Sequence, residues 1–90
     1  MAIYKIKLNL ELNPGSDRIY TVTSPDVPGL VTEGRTPEEI RRNVIEALEV
    51  LIMGLKELGK ELPPVLQQPV DATVQTDLLV SVSTETLVAA

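Results

Sequence analysis

The sequence predicts an α+β fold of order β-β-β-α-β, an antiparallel sheet with one helix packed on a face. Three observations carry this: strict apolar/polar alternation at the N-terminus, two proline- and glycine-rich breaks, and one long amphipathic stretch behind a helix-start signature. At 90 residues the chain has the size of one domain, so residues 1–90 are expected to form a single unit with a thin core.

The first strand is expected over about residues 3–12. Tyr4, Ile6, Leu8, Leu10 and Leu12 share one parity, and Lys5, Lys7, Asn9 and Glu11 the other. Period two describes a strand with one buried and one solvated face. Asn13-Pro14-Gly15-Ser16-Asp17 is a turn, because proline presets φ and glycine admits left-handed backbone. A second strand follows at about 18–24, rich in β-branched residues and tyrosine. Pro25, Pro28 and Gly29 then build a rigid corner, and a short third strand spans about 30–33, closed by Gly34.

The helix start is the strongest local signal. Thr36 is a natural N-cap, Pro37 fits the first helical position, and Glu39 completes a capping box. Ile40, Val44, Ala47, Leu51, Leu55 and Leu58 recur on one face, which predicts a helix over about 37–58. Gly59 caps it and Pro63-Pro64 prevents continuation. Ile45, Leu48 and Ile52 flank the core stripe, and Val50 and Met53 lie on the far side. The second half of the helix is thus more apolar than a surface helix needs. Either the core face is wide, or Ile45, Ile52 and Met53 contact a second copy; an oligomer is expected. Residues 65–75 read as loop, 78–83 as a final strand on the alternation of Leu78, Val80 and Val82, and 84–90 as a frayed end or an extension of edge pairing.

Composition removes most chemistries. The chain has no Cys and no His, so disulfides, thiolate metal sites, imidazole bases and the catalytic triads that use them are absent. Tyr4 and Tyr20 are the two aromatics, too few for a base-stacking platform. Net charge is −5, the wrong sign for gripping phosphate and the right sign for a basic protein; the plainer account is solubility. Arg35, Arg41 and Arg42 are surrounded by Glu38, Glu39 and Glu46, and Glu38 with Arg42 forms a favourable i,i+4 pair. Direct nucleic-acid binding is not expected.

Carboxylates are the remaining candidates for catalysis. Asp26 and Glu33 approach each other if strands two and three form a hairpin, but Asp26 between prolines is more simply a turn residue, and Glu38 and Glu39 serve the helix start. No catalytic residue, metal or cofactor is expected. No run reaches the 18 or so apolar residues a membrane span requires, and the N-terminus lacks the apolar core of a signal peptide. A cytoplasmic location is the expectation.

The order of these features resembles the HicB antitoxins and their stand-alone relatives. The resemblance rests on Ser24-Pro25-Asp26-Val27-Pro28-Gly29-Leu30, then Thr32, Gly34 and the helix opening Thr36-Pro37-Glu38-Glu39-Ile40, with Asn43, Glu46-Ala47-Leu48 and the ending Leu58-Gly59-Lys60-Glu61-Leu62-Pro63. It covers about residues 3–64 well and 78–83 only as a strand. It implies a partial ribonuclease-H-like fold without that fold's nuclease site, homodimers or homotetramers, and binding of a small basic ribonuclease toxin, HicA, by occlusion. A C-terminal DNA-binding domain of the kind many members carry has no counterpart in residues 65–90, so operator binding is not expected. On this reading Asp26, Val27 and Glu33 form the partner-binding face. The alternatives are an oligomeric binding module without a toxin, and a residual metal-dependent nuclease.

Overall fold

A computed structural model describes residues 1–15 and 17–88. Three strands, β1 (Asn9–Leu12), β2 (Tyr20–Thr23) and β3 (Val31–Gly34), form one antiparallel sheet in chain order. A 21-residue helix, α1 (Pro37–Glu57), follows, then a 3-10 turn at Pro64–Leu66 and a short helix, α2 (Thr84–Val88). The α+β class holds.

The ladder register is Leu10↔Val22↔Thr32 in one row and Leu12↔Tyr20↔Gly34 in the next. Cross-strand partners share a face, so these two rows make the face that α1 covers. Val22, Val27, Leu30, Ile40 and Val44 form the buried core, and Ile6, Leu8, Leu10, Tyr20, Ala47, Leu48, Leu51 and Val65 pack around it. The opposite face carries Asn9, Glu11, Thr21, Thr23, Val31 and Glu33, polar apart from one valine.

Both ends of α1 are fixed by local chemistry. Thr36 Oγ1 accepts from the Glu39 amide at 3.1 Å, and Glu38 and Glu39 lie in the first turn, where the helix dipole favours negative charge. At the other end Gly59 takes φ +68°. Its amide donates to Lys56 O at 3.1 Å and the Lys60 amide to Leu55 O at 2.9 Å. This pair of bonds is the Schellman arrangement, which needs a left-handed residue just past the helix.

Gly34 has a different task. A Cβ there would lie 2.7 Å from Ile40 Cγ1 and 3.0 Å from the Ile40 amide nitrogen. Only a residue without a side chain lets β3 end this close to the first turn of α1.

Two expectations need correction. The first strand is shorter than its alternation, because β2 ends at Thr23 and leaves residues 3–8 without a ladder. No strand forms over residues 78–83: Leu78, Leu79, Val80 and Val82 are exposed there, and Thr84–Val88 is helical instead of an edge extension. Ser83 turns the chain into this helix, its Oγ accepting from the Glu85 amide at 3.3 Å. Within the expected loop of residues 65–75, the chain forms the end of a 3-10 turn, which buries Leu66.

Candidate functional site

Asp26, Val27 and Glu33, expected to share a face, are separated by the fold. Val27 is fully buried at 0% exposure and belongs to the core, so it is not available to a partner. Its place follows from the corner. The Leu30 amide donates to Val27 O at 3.2 Å and Gly29 sits at φ +91°, a turn that tucks Val27 and Leu30 inward while Pro28 and Gly29 stay outside.

Asp26 is half-buried and internally engaged. Its Oδ2 accepts from the Lys7 amide at 2.9 Å, and its own amide donates to Ser24 Oγ at 3.1 Å. The carboxylate therefore latches the N-terminal segment to the corner after β2. Glu33 is exposed on the open sheet face, level with Thr21 and Glu11, well along β3 from the corner. Among the described residues no group of three or more Asp or Glu converges as a metal site would require.

The more coherent feature is a groove between β3 and α1, about 440 Å³ in volume, lined by Gly29, Val31, Thr32, Asn43, Glu46 and Val50 among others. Val31 and Val50 remain 66% and 71% exposed. The ladder decides what the β3 edge presents. The Asn13 amide donates to Ile19 O at 2.9 Å, so Asn13 and Ile19 are a hydrogen-bonded pair. Such pairs alternate along an antiparallel ladder, which turns Thr21 and Thr23 toward β1 and Tyr20 and Val22 toward β3. Thr32 and Gly34 then answer β2, and the backbone groups of Val31 and Glu33 face away from the sheet. Asn43 bears this out: its Nδ2 donates to Glu33 O at 2.7 Å from the α1 side. The amide and carbonyl of Val31 and the amide of Glu33 are left on an open edge.

Ile45, Ile52 and Met53 do not form one patch. At about 100° per residue, Ile45 and Ile52 lie on the flank facing the C-terminal segment, where Ile45 lines a loosely filled space with Tyr4, Leu78 and Leu79. Met53 points to the solvent side with Glu46 and Glu49, nearer the β3 groove. The C-terminal segment runs past the N-terminal one, with the Val70 amide donating to Ile3 O at 2.8 Å and Lys5 Nζ to Gln75 O. A Cβ added at Gly54 would meet nothing within 4 Å. Among the described residues no helix is long and apolar enough to cross a membrane.

A sequence signal for the groove exists in part: Val31 breaks an otherwise polar strand parity, and Val50 with Met53 interrupts the polar side of the helix. The packing of α1 against β3 that brings Val31 and Val50 to one groove is set by tertiary contacts.

A family model described as "HicB_like antitoxin of bacterial toxin-antitoxin system" matches residues 7–83. The UPF0150 protein Ta0767 of Thermoplasma acidophilum is 31% identical over 58 residues, covering 64% of this chain and 84% of that one. A UPF0150 protein of Thermotoga maritima is 46% identical over 43 residues, covering 48% of this chain and 53% of its own length. No solved structure matches.

Proposed function

The chain belongs to the HicB-like antitoxin family, and on that premise we propose that it neutralises a HicA-like ribonuclease toxin by binding it and covering its active surface, without catalysis of its own. The observation that carries this reading is the family match across residues 7–83. Two features agree with it. The net charge of −5 suits a basic partner, since opposite potentials steer association and raise its salt dependence. A chain without Cys or His has few groups that could act as nucleophile or base at neutral pH.

In this reading the β-β-β-α body is the core of a partial ribonuclease-H-like unit working in the cytoplasm. Glu33 contributes to the acidic approach, while Asp26 acts through the fold by holding the N-terminal segment. The exposed Leu78, Val80 and Ile45 favour self-association on the side of the C-terminal segment. Light scattering of Ile52→Glu reads that contact: a smaller assembly supports it and an unchanged one removes it.

The functional test is co-expression with a small basic HicA-like protein. The account expects a complex that survives purification at low salt and weakens as salt rises. Failure of the two purified proteins to associate at low salt contradicts it.

A further inference from the structure

We infer that the groove between β3 and α1 takes an extended, basic segment of the toxin, which adds to β3 as a further strand. The inference rests on the antitoxin reading and specifies which surface serves it.

Three independent features meet at this place. The first is backbone: parity set by the Asn13–Ile19 bond, and confirmed by Asn43 on Glu33 O, leaves the Val31 amide and carbonyl and the Glu33 amide facing outward. An open edge of this kind pairs readily with another strand. Native chains commonly blunt such an edge with charge, proline or a covering element; Val31–Gly34 has no lysine or proline, its one charge is Glu33, and α1 reaches it at Glu33 O. The second is apolar surface: Val31 and Val50, on opposite walls of the groove, are 66% and 71% exposed. Successive side chains of an added strand alternate between the two faces, so those on the open face would lie beside Val31 and those on the α1 face beside Val50.

The third is charge, which selects the occupant. Glu46 lines the groove, Glu49 is exposed one turn along α1 and Glu33 is exposed on β3. A second copy of this acidic chain docking edge to edge would bring these carboxylates toward their own equivalents, which is unfavourable. A segment carrying Lys or Arg meets them with opposite sign. The chain's own Leu78–Ser83 segment carries no charge and would leave the glutamates unanswered.

The test measures affinity for a HicA-like ribonuclease toxin by calorimetry at low salt, with three variants whose folding is checked by thermal melts. Val31→Pro removes an outward amide that β2 does not use, a position where an edge strand accommodates proline. Glu46→Lys reverses the groove's charge, and Glu61→Lys makes the same charge change outside it. Binding by the wild type, weakened roughly tenfold or more by Val31→Pro and by Glu46→Lys but changed less than about twofold by Glu61→Lys, supports the proposal. Wild-type binding that both groove variants retain overturns the groove and leaves the antitoxin reading standing. No binding by the wild type overturns both. A fall in self-assembly of Val31→Pro with toxin affinity intact assigns the groove to a second copy and also overturns the proposal.

Discussion

Replacing Gly34 by alanine adds one methyl group at the tightest joint of the molecule. The new Cβ would stand 2.7 Å from Ile40 Cγ1, 3.0 Å from the Ile40 nitrogen and 3.1 Å from its Cα. Rotating Ile40 cannot relieve the last two contacts, since they are with backbone. That rotation is itself costly, because a β-branched residue in a helix has essentially one χ1 well. Ile40 is 2% exposed, and its amide donates to Thr36 O at 2.8 Å, an opening bond of α1. The helix start must therefore shift off the sheet. Overpacking of this kind costs about 1–3 kcal/mol. In a domain of this size each kcal/mol lowers Tm by roughly 4–8 °C, so Gly34→Ala should melt roughly 4–24 °C below the wild type. Gly54→Ala supplies the opposite sign in the same experiment. A Cβ there meets nothing within 4 Å and replaces a poor helix former, so it should gain about 0.5–1 kcal/mol. Urea titrations of both variants read the difference. A Gly34→Ala midpoint equal to the wild type would refute the close-approach argument.

Further expectations follow from the same geometry. Gly29→Val puts a β-branched residue at φ +91° and should cost about 1–3 kcal/mol from backbone strain alone, since its Cβ would sit an ordinary 3.6 Å from Leu51 Cδ1; chemical denaturation checks this, and a neutral result refutes it. Val27→Ala hollows a fully buried position and should cost about 2 kcal/mol, lowering the melting temperature while leaving toxin affinity unchanged below it. Asp26→Ala frees the Lys7 amide and should cost about 1 kcal/mol, with faster hydrogen exchange at Lys7 as its signature.

How much of this was legible in the sequence varies by element, for physical reasons. The helix could be read to within a residue because both its ends are local: Thr36, Pro37 and Glu39 start it and Gly59 stops it, without help from distant parts of the chain. Strands are not local. Residues 3–12 alternate throughout, yet the ladder exists only over Asn9–Leu12, where β2 runs alongside. Leu78–Val82 alternates too and forms no strand, since alternation supplies a face and pairing requires an edge at hand.

The site was harder. Val27 is expected on the partner-binding face because prolines surround it, whereas the turn drives it inward with Leu30. Asp26 and Glu33 looked convergent because a hairpin joins β2 to β3, but the register puts Thr23 opposite Val31 and sends Asp26 back toward Lys7. The β3 groove depends on hydrogen-bond parity and on the path of α1, and parity is invisible until one pair in the ladder is located.

The antitoxin account is tested most directly by following RNA cleavage by a HicA-like ribonuclease while this protein is added in increasing amounts. The account predicts that cleavage stops once the antitoxin matches the toxin in stoichiometric amount, and that the antitoxin alone leaves RNA intact. Cleavage that persists under a large excess of folded protein, or RNA degraded by the protein by itself and spared by a single carboxylate substitution, would contradict it.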